Sequence, residues 1–277
     1  MKNIKLNSGI EIPEIGLGTY KSDTKFIIQA IETGYRYFDT ASFYGTEKSI
    51  AEAIKLSGLK RENFFVASKL WKDDMGYEKA KNAFNKTLES LETDYIDVFM
   101  IHWPRPNLKL ENWRELDLET WQALEEFYAQ GKIRVLGLSN FLPYHAENII
   151  KNSKIFPYIA QLEFHAGHTQ TFALNYYREK NILVQAWSPM ARGRVFNDEL
   201  IIELAEKYHV SAAQICLRFC IEEGVMPLPK ASSVERLKEN LAVLEFEISP
   251  EDVSRIENMP PSGWSGEQPD RERIKIN

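Results

Sequence analysis

The stretch Arg36–Glu47, RYFDTASFYGTE, sets an acid, Asp39, directly behind residues that read as buried strand, with Tyr44 and then Gly45 following. A tyrosine can give a proton to an oxygen that is gaining charge. With an ordinary pKa of about 10, however, it is a sluggish acid-base group near neutrality. A neighbouring ammonium favours the phenolate and would lower that value. Lys69, closing the run NFFVASK, is the candidate, and Asp39 would anchor and orient it by a charge-assisted contact. His102, closing DVFMIH, could hydrogen-bond and orient the same oxygen. Each residue also has a plainer reading. Asp39 could be a turn residue, Tyr44 an aromatic packed on the next helix, Lys69 a solvated strand end, and His102 a hydrogen-bonded core histidine; against the packed-aromatic reading, Gly45 leaves space beside the Tyr44 ring. What distinguishes them is that all four fall at or near strand ends, so a fold that gathers strand ends would gather them.

The rest of the chain supplies such a fold. Short, nearly continuous apolar runs at 14–19, 35–39, 63–69, 97–102, 133–139, 159–164, 182–187 and 225–229 suit strands buried on both faces. Amphipathic helical patterns alternate with them, around 23–33, 46–57, 77–91, 116–130, 143–152, 170–180, 197–221 and 233–244. Eight strand-helix units predict a closed (β/α)8 barrel, in which every strand's C-terminal end opens on one face. IKLNSGIEIP reads as a hairpin that could cap the N-terminal mouth, and SPEDVSRIENM as one extra C-terminal helix. With no linker or low-complexity tract, residues 1–277 are expected to form a single domain. The polar residues at the predicted strand ends are Asp39, Lys69, His102, Ser139, Asn140, Gln161, Glu163, Trp187, Ser188 and Lys230.

Composition narrows the classes of partner. The 277 residues carry 34 basic and 40 acidic side chains, a net charge of -6, with no basic run to track a phosphate backbone. Nucleic acid is therefore not an expected partner. No apolar stretch approaches the roughly 18 residues a membrane helix needs, and the N-terminal stretch has no apolar leader-like region. The chain is expected to be cytoplasmic and monomeric. Cys216 and Cys220, four apart in a helical pattern, read as small core residues in a reducing compartment.

The ordered set GYRYFDTASFYGTE, ASKLW, MIHWP, GKIRVLGLSNF, QLEFH, AWSPM and LPKASSVERLKEN resembles the signature of the aldo-keto reductase family, over residues 10–260. The short tail and IHWP most resemble the prokaryotic branch that contains 2,5-diketo-D-gluconate reductases. The resemblance implies a TIM barrel that binds NADP(H) without a Rossmann fold and reduces carbonyls to alcohols. It matches Asp39, Tyr44, Lys69 and His102 to the family's catalytic tetrad. Hydride delivery to a carbonyl carbon leaves charge on its oxygen, which is the demand these four groups could meet.

For the cofactor, Lys230 at the mouth of the last strand and Arg236 in the first turns of a helix offer two cations beside helix N-terminal amides, which suits a phosphate. The resemblance assigns Lys230, Ser232 and Arg236 to the adenosine 2'-phosphate, and Glu239 and Asn240 to the adenine. It gives Ser139, Asn140 and Gln161 the nicotinamide carboxamide and Trp187 the ring face, against which an aromatic can stack. Thr19 and Asp39 join the cofactor set, and SPMARGRV, with Ser188, Met190 and Arg192, matches the loop over the pyrophosphate. This chain has Ala231 where the family usually has Ser, and Ala191 where Gly is common.

Phe43, Trp71 and Trp103 flank the tetrad, and with Tyr44 and His102 would line the substrate pocket. The segments 105–119, 188–196 and 260–277 would select the carbonyl. GLGTY and GLSNF lack the closing glycines of a dinucleotide fingerprint and a nucleophile elbow. His165 and His168 have no paired acidic base, so no metal is expected. Two other functions fit the same residues: a Schiff-base aldolase using Lys69 or Lys230, and a nucleotide sensor with little turnover.

Overall fold

The apolar runs become strands and the amphipathic runs become helices in a computed structural model, which describes residues 3–274. Two short strands, β1 (Asn3–Lys5) and β2 (Glu11–Pro13), pair antiparallel around a turn in which Gly9 takes a left-handed φ of 84°. Leu6 and Ile12 from this hairpin are buried with Tyr37, Val98 and Ile159, which line the barrel floor. The expected cap on the N-terminal mouth is therefore present.

Eight parallel strands follow in sequence order: β3 (Leu17–Gly18), β4 (Tyr37–Asp39), β5 (Phe65–Leu70), β6 (Ile96–Ile101), β7 (Ile133–Ser139), β8 (Ile159–Glu163), β9 (Leu183–Trp187) and β10 (Met226–Pro227). The first and last are much shorter than their apolar runs. Even so, Gly16 N donates to Pro227 O at 3.1 Å and Gly18 N to Pro229 O at 2.9 Å, which joins the two edges and closes the barrel. The seam requires a glycine: a Cβ on Gly16 would lie 2.6 Å from Tyr37 Cδ1 and 2.7 Å from Leu228 Cδ2.

The outer layer is α1 (Thr24–Thr33), α2 (Glu47–Leu56), α3 (Tyr77–Ser90), α4 (Trp113–Ala129), α5 (Pro143–Asn152), α6 (Thr171–Glu179), α7 (Glu199–Tyr208), α8 (Ala212–Glu222) and α9 (Val234–Leu241), followed by the extra helix α10 (Pro250–Glu257). Buried Phe84, Trp121, Leu136 and Phe219 belong to the apolar layer between helices and sheet. One expectation is corrected: the pattern at 197–221 is two helices. His209 takes a left-handed φ of 55° that ends α7, and Ser211 caps α8 by accepting from Gln214 N while Gln214 reaches back to Ser211 N. α4 also begins at Trp113, so the end of the segment 105–119 is helical. Of the segment 260–277, residues 275–277 lie outside the described residues.

At the closed end, Asp97 is fully buried and accepts from Arg61 Nη2 at 2.7 Å, Arg134 Nη1 at 2.6 Å and Val66 N at 3.0 Å, so one carboxylate ties three strand regions together. Parallel pairing puts the ends that carry chemistry on the opposite face.

Candidate active site

At that face Lys69, wholly buried at the end of β5, donates to Asp39 Oδ1 at 2.8 Å, Asp39 Oδ2 at 2.7 Å and Thr40 O at 2.9 Å. All three ammonium hydrogens therefore have acceptors. Burial pushes the Lys69 pKa down, and the Asp39 carboxylate pulls it part of the way back. Asp39 receives a further bond from Gln161 Nε2 at 2.9 Å.

Tyr44 closes a 3-10 turn, Ser42–Tyr44, whose Ser42 hydroxyl donates to Lys69 O. Gly45 follows with φ 68°, and nothing stands within 4 Å of where its Cβ would be. The glycine is thus needed for its left-handed backbone, and not for space beside the ring. The Tyr44 ring centroid lies 5.2 Å from Lys69 Nζ, 5.8 Å from the His102 ring and 5.1 Å from the Tyr20 ring. The sequence places these groups together correctly, but the expected electrostatics are reversed. Burial first, then the Asp39 charge and then Tyr20, hold the Tyr44 pKa above its ordinary value. The phenol keeps its proton. His102 is buried, and burial and the Lys69 charge push its pKa well below 6.5, so its imidazole is neutral. Its Nδ1 has no protein partner.

Around this group stands an aromatic wall. Phe43 stacks on Trp71 at 4.0 Å, Trp71 meets the His102 ring edge-on at 5.2 Å, and Trp103 lies 6.4 Å from it. Phe43 is 56% exposed, so it stands at the rim. Tyr20, 43% exposed and against Tyr44, completes the wall. The sequence reading passed over Tyr20; the available signal was its place at the end of the first strand, directly after Thr19.

The candidates at the ends of β7 and β9 also converge. Asn140, in a left-handed conformation with φ 61°, donates from Nδ2 to His102 O at 3.0 Å and Ser139 Oγ at 3.2 Å, and accepts from Trp187 Nε1 at 2.8 Å. This links β7, the end of β6 and β9. Thr19 points inward, its hydroxyl donating to Asp39 O, so it braces the acid's backbone.

In the loop after β9, Ser188, Ala191 and Arg192 all have positive φ (51°, 48° and 56°), and Ala191 is buried. An alanine held there stores strain on the order of 1 kcal/mol that glycine would not. Arg192 is exposed, whereas Met190 packs beside Ile15 and Leu217.

Lys230 and Arg236 are both exposed, and Arg236 Nη1 donates to Ser232 Oγ at 3.0 Å beside the N-terminus of α9, which Ser233 caps. Asn240 is buried beside Tyr35, while Glu239 is half-buried on the same helix. Two exposed cations beside a helix N-terminus fit an anionic nucleotide arm.

The segment after α10 crosses the mouth. Glu163, which the sequence placed at a strand end without a role, accepts from Ser265 N at 2.8 Å and Ser265 Oγ at 2.6 Å. Asp270 accepts from Arg105 and Tyr144, and His145 Nε2 lies 3.2 Å from its Oδ1. A cavity of about 310 Å³ lies beneath, with Asn140 and Trp187 on the barrel side and Trp264 and Arg271 on the tail side. Among the described residues no cluster of three His, Cys, Asp or Glu side chains could hold a metal, and no helix is long and apolar enough to cross a membrane.

The model of the aldo/keto reductase family matches residues 15–260. Glyoxal reductase of Bacillus subtilis is 38% identical over 272 residues, covering 96% of each chain. Methylglyoxal reductase DkgA of Escherichia coli is 32% identical over 97% of each. Among solved structures, an aldo-keto reductase of Bombyx mori in complex with NADP superimposes with a TM-score of 0.85 at 30% identity, covering 99% of this chain and 95% of that one. An aldo/keto reductase from Brucella melitensis gives 0.86 at 35%, covering 92% of this chain and 97% of that one. A family model matched over residues 15–260 and relatives at 32–38% identity along nearly their whole length agree with the barrel and its mouth, and this chain belongs to the aldo/keto reductase family.

Proposed function

We propose that this protein reduces small aldehydes and ketones to alcohols with NADPH, with Tyr44 as the proton donor. The observation that carries the proposal is the arrangement of Tyr44, still protonated, beside neutral His102 and the buried Lys69–Asp39 pair. When bound, the dinucleotide supplies the hydride. Tyr44 holds the proton that the carbonyl oxygen takes up, and His102, neutral, offers one N–H to orient that oxygen. Lys69 lies over the Tyr44 ring and Asp39 keeps the ammonium in place, so positive charge stands ready as the phenolate forms.

Ser139, with its hydroxyl hydrogen still available, and Gln161 are positioned for a carboxamide. Trp187 offers a ring face, and Lys230, Ser232 and Arg236 a phosphate site with Glu239 and Asn240 beyond it. Arg192, exposed in the loop after β9, is our candidate for the pyrophosphate that connects them. The relatives named for glyoxal and methylglyoxal suggest small dicarbonyls, and the wall of Tyr20, Phe43, Trp71 and Trp103 suits a short substrate. A Schiff-base aldolase at Lys69 is opposed by the three acceptors that hold its ammonium. We also read the protein as a cytoplasmic monomer, in keeping with its two buried free thiols.

The test is Tyr44→Phe in an NADPH-oxidation assay over aldehydes, ketones and α-dicarbonyls, with dinucleotide affinity followed by tryptophan fluorescence. Turnover is expected to fall about 10²- to 10⁴-fold with affinity unchanged. Near-normal reduction by the variant would overturn the assignment. In light scattering, the mass of one chain is expected, and a dimer mass would overturn the monomer reading.

A further inference from the structure

A buried polar chain runs from Asp39 down into the barrel. The interior there is otherwise apolar, filled by side chains such as Val98, Met100, Val135 and Ile159. Into it β9 sends Gln185, with no exposed surface, although an amide in such a place is unfavourable unless its hydrogen bonds are made. They are made. Gln161 and Gln185 are register partners across β8 and β9, and Gln161 Nε2 donates to Asp39 Oδ1 at 2.9 Å and to Gln185 Oε1 at 3.2 Å. Gln185 Nε2 in turn donates to the Tyr37 hydroxyl at 2.8 Å.

The polarity of this chain follows from chemistry. A carboxylate only accepts, so the Gln161 atom facing Asp39 is its NH₂ group. The second hydrogen of that NH₂ points at Gln185, which must answer with its carbonyl oxygen. Gln185 then turns its own NH₂ toward Tyr37, whose phenol burial keeps neutral. With both N–H groups of Gln161 engaged, only its carbonyl oxygen is left for the mouth, and that oxygen accepts but cannot donate. The terminal torsion of a glutamine is broad, so one contact alone would leave it room to swing.

We propose that Gln185, backed by Tyr37, is a positioning residue for the cofactor: it locks the Gln161 amide with its oxygen toward the mouth, as an acceptor for the N–H of a primary carboxamide. Gln185 touches neither cofactor nor substrate and acts through Gln161. The inference rests on the reading that Gln161 meets the nicotinamide carboxamide.

The experiment compares dissociation constants, by tryptophan fluorescence quenching, for NADP⁺ and for its 3-acetylpyridine analogue, whose methyl ketone lacks the N–H. The wild-type protein is expected to bind NADP⁺ about tenfold tighter, the worth of one hydrogen bond. Gln185→Met keeps the side-chain length and removes the acceptor, and is expected to bring that ratio down to within about twofold of unity, mainly by weakening NADP⁺. Tyr37→Phe, which leaves Gln185 in place with only the weak contact of its Nε2 to Met226 Sδ at 3.2 Å, shifts the ratio the same way by less, and serves if Gln185→Met does not fold. A merely structural role would weaken both dinucleotides equally and leave the ratio unchanged, which would overturn the proposal. Gln161→Leu separates the two readings. If it collapses the ratio while Gln185→Met and Tyr37→Phe do not, only the positioning role fails. If it leaves the ratio intact, the carboxamide reading fails and takes the positioning role with it.

Discussion

Lys69 carries an ammonium where no water reaches it, and its stability there depends on a single carboxylate. Desolvation penalises the charge, as the downward push on its pKa shows, and Asp39 offsets that penalty by accepting two of its three hydrogen bonds. Removing one partner of such a pair strands the other, which costs about 3–5 kcal/mol. Asp39→Asn is therefore expected to lower unfolding free energy by that order in urea titration. A loss under about 1 kcal/mol would mean that Thr40 O and the local dipoles already hold the lysine. The same residues explain why the acid-base arithmetic read from sequence was incomplete. An ammonium beside a phenol favours the phenolate, but in the folded chain burial of Tyr44 and the Asp39 charge act the other way.

Elements set those side chains by how closely their strands approach. Gly137, in the middle of β7, pairs with Met100 on one side and Ile159 on the other. A Cβ there would lie 2.8 Å from Met100 Cγ and 2.9 Å from Ile159 O, and the second of these is backbone that cannot swing aside. Gly137→Ala is expected to cost about 1–3 kcal/mol by spreading β7 from β8, seen as a lower denaturation midpoint. An unchanged midpoint would show that the sheet opens freely there. At the same scale, the break between α7 and α8 was written in the chain as HVSAAQ, a Ser with Gln three residues on, which is a capping box. Continuous amphipathic character on both sides concealed it.

Across the whole molecule, the C-terminal segment is fastened at Glu163 and at Asp270, the latter beside His145. His145 is buried among Trp113, Phe141 and Tyr144; desolvation pushes its pKa down to about 4, and the nearby Asp270 charge only partly opposes this. The sign follows from proton counting. Below pH 6.5 the unfolded chain protonates this histidine while the native state does not, so stability falls as pH drops from about 6.5 to about 4. The loss over that window is about 3 kcal/mol at most. Melting temperatures from pH 7 to 4 are expected to decline, and His145→Gln to flatten the decline. An equally steep decline in the variant would assign it to other groups.

Residue types and their periodicity were enough to establish the alternation of strands and helices, the barrel and the hairpin cap, and together with the family resemblance they pointed to the four groups at the mouth. Each of these depends on local pattern: burial on both faces, amphipathic period, and polar residues where strands end. Contacts between segments far apart in the chain were not legible. The Gly16 and Gly18 bonds that close the barrel, the buried role of Thr19, the Glu163–Ser265 and Asp270 fastenings, and the Gln161–Gln185–Tyr37 chain all join such segments. The direction in which the Tyr44 pKa moves belongs with them. The sequence determined which groups meet at the mouth, but the degree of burial and the partner each charge finds arise only when the barrel closes, and these decide which group holds a proton.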